Sequence, residues 1–186
     1  MKKLTFALLI LFVISGVNIF AQNTATSQRY GRTLNLGLGI GGYYGYYGYV
    51  GQSLPVFNIN YEFDVARNFT LAPFVSFSSY RHGYYWHDNN YYYHSTIIPI
   101  GMKGTYYFDQ LLHADSNWDF YLAGSLGFVI VRSSWDNGYG GDTNYYSDGS
   151  PVFLDLHIGT EYHFNRHLGA FLDLSTGVST IGFAIH

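Results

Sequence analysis

The residues best equipped for chemistry in this chain sit two apart. Asp155, His157, Glu161 and His163 recur at even spacing in the segment 151–164, so an extended backbone carries all four on one face. A carboxylate that orients an imidazole beside a hydroxyl, such as Ser125 or Ser76, is the basic equipment of acid–base catalysis. Glu62, Asp64, Lys103 and Asp173 fall on the corresponding face of other periodic segments. Buried charges need partners, and Lys103 paired with Glu62 or Glu161 meets that demand without any reaction. The expectation is a luminal charge network of Glu62, Lys103, Asp155, His157 and Glu161, with no catalytic residue and no enzyme activity.

Two other clusters have metal-ligating residue types. His82, His87, Asp88 and His94 lie within one segment, but their spacing matches no tight transition-metal signature. Asp136, Asp142, Asn144 and Asp148 offer oxygen ligands, yet the order of an EF-hand loop is not met, and Asp, Asn and Gly are also ordinary turn residues. Neither metal nor cofactor is expected. The chain has no Cys, which excludes disulfides, thiolate metal sites and a Cys nucleophile. Acidic residues outnumber basic ones and no basic run occurs, so the electrostatic footprint of a nucleic-acid binder is absent.

These residues are positioned by alternation. In 33–43, Leu34, Leu36, Leu38 and Ile40 alternate with Asn35, Gly37, Gly39 and Gly41, which is the period of a strand. The same pattern predicts strands over 54–65, 68–80, 94–108, 118–131, 151–164, 167–175 and 178–186. Pro73 and Pro99 fall inside two of them and predict bulges or bends. Links after the second and sixth strands are tight, and 109–117 is of medium length. Links 43–53, 81–93 and 132–150 are long, so long and short alternate as on the two rims of an up-and-down barrel. The link near 175–177 is the short exception.

Two faces imply two solvents. One face of each segment is almost wholly apolar, and the other is small or polar with few charges. Only 11% of the 186 residues are charged, under half the ~25% of ordinary soluble domains, while mean hydropathy is +0.00. So poor a polar face suits the interior of a narrow barrel, and the apolar face then meets lipid. Lys2 and Lys3, an apolar run to Ile14 and a small residue at Ala21 form the three-part pattern of a secretory signal peptide. Most of the 20 Tyr crowd into the three long links, with Tyr44, Tyr47, Tyr85, Trp86, Tyr92 and Tyr145 as candidate recognition residues. An aromatic girdle at the headgroup level accounts for the same clustering.

The glycine-alternating L-N-L-G-L-G-I-G-G, the F-T-L-A-P-F-V-S-F segment, I-P-I-G-M-K-G-T-Y-Y-F and G-T-E-Y-H-F-N-R-H-L-G-A-F-L-D-L together resemble the small outer-membrane β-barrel domain family of Gram-negative bacteria. The resemblance implies an all-β, eight-stranded antiparallel up-and-down transmembrane barrel of the OmpA/OmpX type, often labelled porin-like. The last strand departs from the family by placing Phe183 three residues before His186. The expected layout is a signal peptide over 1–21, an N-terminal extension over 22–32 and the barrel over 33–186. The expected role is structural or surface-interacting, as a monomer in outer-membrane lipid whose loops meet an extracellular ligand or protein. A narrow channel and a barrel-embedded lipid-modifying enzyme using His157 and Glu161 are the alternatives.

Overall fold

The computed structural model describes residues 30–41, 55–86, 89–112, 116–135 and 152–186. The strands are β1 (Thr33–Gly41), β2 (Val56–Ala66), β3 (Phe69–Trp86), β4 (Asn89–Tyr107), β5 (Trp118–Trp135), β6 (Val152–Asn165), β7 (Leu168–Ser175) and β8 (Val178–Ile185), with a single helical turn, α1 (Asp109–Leu112), between β4 and β5. Each strand pairs antiparallel with its neighbour in sequence, and β8 returns to β1. The result is the expected closed eight-stranded all-β barrel. The expected signal segment, residues 22–29, and the links carrying Tyr44, Tyr47, Tyr145 and the Asp136–Asp148 cluster lie outside the described residues, as do His87 and Asp88.

Alternation sorts the side chains as the period demands. Leu154 is 69% exposed and its neighbour Asp155 2%, and the same contrast repeats around the wall. Leu36, Phe57, Val75, Ile100, Leu126 and Ile181 face out. Asn35, Asn60, Ser76, Thr105, Ser125 and Asp173 face in and are buried. The normal sense of a protein interior is therefore inverted: the polar face is inside.

Two expectations change. Within the expected link 81–93, residues 81–86 and 89–93 are strand, because β3 and β4 stay paired out to Trp86↔Asn89, and β5 likewise runs past 131 to Trp135, into the expected link 132–150. The Tyr and Trp residues of 81–93 favour a pleated strand, and cross-strand pairing supplies the register. Pro73 and Pro99 produce no bulge. Register is the same on both sides of Pro73, from Asn60↔Phe74 to Phe63↔Leu71, and on both sides of Pro99, from Val75↔Ile100 to Ser78↔Ile97. An added residue at either site would turn every following side chain to the wrong face. The irregularities lie instead at Asp64/Ala66 and His163/Asn165, beside the tight turns, where few side chains follow. Asn68, with φ 58°, makes the left-handed step in the first of those turns.

Glycine on the inner face makes room for large neighbours. A Cβ on Gly159 would enter the ring of Tyr121, and one on Gly127 would press on Phe153. Gly159→Val should thus lower stability by about 1–3 kcal/mol through overpacking, although Val is the better strand former. Urea unfolding of the refolded protein measures this, and adding Tyr121→Ala should recover part of the loss. An equal loss with and without Tyr121 would show that the ring is not what Gly159 accommodates.

Candidate functional site

The lumen is built in layers, each set by which inward positions carry large side chains. Towards the long-link rim, Val56, Phe74, Ile97, Val129, Phe153 and Val178 form an apolar plug, with the Phe74 and Phe153 rings edge-to-face at 6.1 Å. Below it the interior turns polar. Asp173 on β7 is the hub: it accepts from the Lys103 ammonium, from the Tyr121 hydroxyl at 3.1 Å and pairs with His157 Nδ1 at 2.7 Å. Lys103 also lies 4.8 Å from the centre of the Tyr121 ring. The expected partners of Lys103, Glu62 and Glu161, are replaced by Asp173. Cross-strand register in a closed wall decides this, since Lys103 on β4 reaches across the lumen to β7.

His157 Nε2 lies 3.0 Å from Ser125 Oγ. Ser125, His157 and Asp173 therefore align as hydroxyl, imidazole and carboxylate, the geometry of a nucleophilic relay. The adjoining cavity has a volume of only about 40 Å³, lined in part by Asn60, Glu62, Tyr107, Ser125, His157 and Asp173. At ~10–15 Å³ per water it admits a few waters and no acyl substrate.

Glu62 on β2 is a second hub. It accepts from Thr70 Oγ1, from the Tyr107 hydroxyl at 2.9 Å and from Asn35 Nδ2 at 3.3 Å. From Asn35 the chain of amides continues through Asn60 and Asn58 to Ser76. Asp155 serves a different purpose. It accepts from Ser175 Oγ at 3.0 Å and from Thr176 Oγ1, so it anchors the short turn between β7 and β8. A Cβ on Gly177 would strike the Asp155 carboxylate, which explains the glycine in that turn. Thus the five expected network residues divide: His157 and Lys103 meet at Asp173, with His157 Nε2 also 3.7 Å from the Asp155 carboxylate, Glu62 sits among hydroxyls and amides, Asp155 holds a turn, and Glu161 faces His163 and His186.

Tyrosines close the other end. Tyr30 stacks on Tyr107 with centroids 4.0 Å apart, and Tyr121 meets Tyr107 edge-on at 5.7 Å. The Tyr30 hydroxyl donates to Asp109 in α1 at 3.0 Å. Burial pushes the Asp109 carboxyl up from its ordinary range, and the bond from Tyr30 opposes that shift. Glu161 lies at this short-turn rim with His163 and His186; Glu161 Oε1 is 2.8 Å from His186 Nε2.

Of the candidate recognition residues, Tyr85, Trp86 and Tyr92 lie on the described strands β3 and β4, at the opposite, long-link rim. Tyr85 and Trp86 are placed in the extended hairpin, in register with Asn90 and Asn89. Tyr92 is exposed, and the Arg81 guanidinium lies 3.5 Å from the centre of its ring. The sequence reading missed a second aromatic group, on the outside of the short-turn rim. Trp118 packs on Phe120 and Tyr162, and Tyr162 on Phe164. Its signal was present as aromatic residues at strand ends, at the start of β5 after the 109–117 link and at the end of β6 before a tight turn. Tyr107 and Tyr121 were equally visible as bulky residues out of place on the small inner face.

No family model matches the chain, and no curated protein matches it. Among solved structures, the chain is similar to Ail, the attachment invasion locus protein of Yersinia pestis, in complex with the heparin analogue sucrose octasulfate, at 9% identity and a TM-score of 0.40, over 82% of this chain and 94% of that one. A second structure of Ail matches at 10% identity and a TM-score of 0.30, over 86% of this chain and 99% of that one.

The Asp173 hub predicts strong coupling. Lys103→Met should cost about 3–5 kcal/mol, because it leaves a buried carboxylate without its cation. Lys103→Met with Asp173→Leu should lose less than the two single losses combined, by ~1–3 kcal/mol. Urea unfolding of the four proteins measures the cycle; additive losses would mean the pair does not interact.

Proposed function

We propose that the protein is a monomeric outer-membrane β-barrel, exported by a signal peptide over 1–21, whose role is structural or surface-interacting through a Tyr-rich extracellular rim. The observation that carries the reading is the outer wall. Among the described strand residues that face outward, the charged ones are Arg81 and Arg132, both near the long-link rim. Between them and the exposed turn residues Arg67 and Arg166 the wall is apolar. Along β5 the outward residues run from Trp118 to Ile130, roughly 30 Å of barrel height for a tilt of ~40°, which suits the hydrocarbon core of a bilayer. The aromatic group around Trp118 and Tyr162 sits at the lower edge of that band, where amphipathic rings favour the headgroup layer. Water around such a wall would face an apolar patch far beyond the few hundred Å² of a soluble monomer.

The interior supports a closed rather than a conducting barrel. The apolar plug and the stacked Tyr30 and Tyr107 lie in series, with a cavity of about 40 Å³ between. That volume also supports reading Ser125, His157 and Asp173 as a paired interior rather than a reaction centre. Function is then left to the rim. Tyr92 under Arg81, and Tyr85 and Trp86 on a hairpin that outgrows the wall, favour a recognition surface of rigid aromatic side chains. Tyr44, Tyr47 and Tyr145 belong to the neighbouring links and complete the proposed surface.

In cells the chain should fractionate with the outer membrane and migrate faster unboiled than boiled; recovery in the soluble fraction would overturn the reading. Leu126→Arg, at mid-wall, should cost about 2–4 kcal/mol in lipid vesicles. Planar bilayers should record no stable conductance step. Vesicles bearing the protein should bind immobilised polysaccharide, protein or cell surfaces, and replacing Tyr44, Tyr47, Tyr85, Trp86, Tyr92 and Tyr145 with Ser should abolish that retention while leaving the heat-dependent shift intact. Unchanged retention would assign these aromatic residues a girdle role only.

A further inference from the structure

Within the lumen, Lys103 takes Asp173, yet the short-turn rim holds acids with no such partner. Among the described residues, Glu62, Asp109, Asp119 and Glu161 form no ion pair with Lys or Arg; the basic side chains beside Glu161 and Asp119 are the imidazoles of His163 and His186. We propose that Glu161, His163 and His186 bind a late first-row divalent cation, Zn²⁺ or Cu²⁺, that fastens the end of β8 to β6.

The donor atoms already converge. One from each residue lies within 4.8 Å of the others. Glu161 Oε1 is 2.8 Å from His186 Nε2 and 3.7 Å from His163 Nδ1. Bonds of ~2.0–2.1 Å in tetrahedral geometry place ligand atoms about 3.3 Å apart, between those two separations. One carboxylate and two imidazoles suit zinc or copper better than calcium or magnesium, which take oxygen ligands.

The second nitrogen of each ring, turned away from Glu161, is held in the way metal-ligating histidines usually are. His163 Nε2 lies 2.8 Å from the Asp119 carboxylate, so Nε2 carries the proton and the Nδ1 lone pair turns to Glu161. His186 Nδ1 lies 3.0 Å from Thr33 Oγ1. The Thr33 hydroxyl spends its own proton on the Tyr30 carbonyl at 2.9 Å, so His186 Nδ1 must donate. That leaves His186 Nε2 against a carboxylate oxygen, a contact that requires a cation between them: a proton, or a metal ion in its place. The other oxygen of Asp119, Oδ1, is buried without a partner, which is unusual for an ionised group unless positive charge accumulates nearby.

Glycine supplies the space. β7 lies between β6 and β8, and its inward residue at this level is Gly169, opposite His163 on one side and Ala184 on the other. A Cβ there would collide with Glu161 Oε1. The missing side chain is what lets residues on β6 reach across β7 to His186. Both imidazoles are about one-fifth exposed, His163 at 22% and His186 at 21%, so a water completes the coordination from the open rim.

The inference stands on rim geometry and does not depend on which solvent covers the wall. The test uses the full chain refolded in detergent micelles and stripped by chelator, titrated calorimetrically with Zn²⁺ and spectroscopically with Co²⁺. One equivalent should bind with a Kd of about 1 μM or tighter, with proton release, since metal ligands must be deprotonated. His163→Ala and His186→Ala should each weaken binding at least ~10-fold. Glu161→Gln, which conserves volume, should do the same and keeps the test readable if a His variant does not fold. Gly169→Ala should weaken binding with every ligand retained. A protein carrying His82→Ala, His87→Ala and His94→Ala should bind as the parent does. No saturable uptake below ~1 mM, a smaller loss in the ligand variants, or loss in the variant lacking His82, His87 and His94 instead would overturn the proposal.

Discussion

Hydrogen bonding between β1 and β8, from Leu34↔Ile185 to Gly41↔Val178, leaves no free strand edge in the wall. A backbone group facing hydrocarbon has no water to bond, so an open edge in lipid would be costly at every residue. Closure removes that cost and creates another. With eight strands the enclosed space is just wide enough for side chains, and whatever points inward must fit and must be paired. Glycines at 127, 159 and 169 and the hydroxyls of Thr70 and Ser125 answer the first demand, and the Glu62 and Asp173 hubs answer the second. The seam that closes the wall ends beside His186, the point at which the proposed ion would add a further tie.

The two ends of the barrel differ because different links end there. At the short-turn rim, two turns of two residues and the α1 link hold strand ends together, and the lumen is filled by Tyr30 ahead of β1 and by Tyr107, Tyr121, Glu161 and His163 from three strands. At the other rim, β3 and β4 outgrow the wall and carry Arg81 and Tyr92 beyond the apolar band. Rigidity thus collects at one end and exposed aromatic area at the other. Asp155 is the exception, since it brings the rigid style to the long-link rim by anchoring the one short turn there.

Period two assigned nearly every strand residue to its face without reference to tertiary structure. Leu154 and Asp155, Tyr106 and Tyr107, Leu122 and Ala123 separate by parity alone. The reason is local: successive Cβ atoms of an extended chain point to opposite sides whatever the strand pairs with. At Pro73 and Pro99 the expected bulge does not form, because proline by itself states only that a donor is lost. Whether a bulge follows depends on the buried residues beyond it, whose facing would invert.

Partner choice inside the lumen was decided only by closure. Lys103 had Glu62, Glu161 and Asp173 as chemically equivalent partners, and the barrel's curvature and register brought the third within reach. Ser125, His157 and Asp173 come from three strands, and Glu161 and His163 from β6 meet His186, the residue after β8. Spacing along one strand reports which face a residue occupies and nothing about what stands across the interior. The sequence by itself determined the number of strands, their two faces and the class of barrel, while cross-strand pairing set how far β3 and β4 extend. Which charges meet, which cavity remains and which histidines converge are properties of the closed ring, because a contact across the lumen depends on register summed over every strand between the two partners.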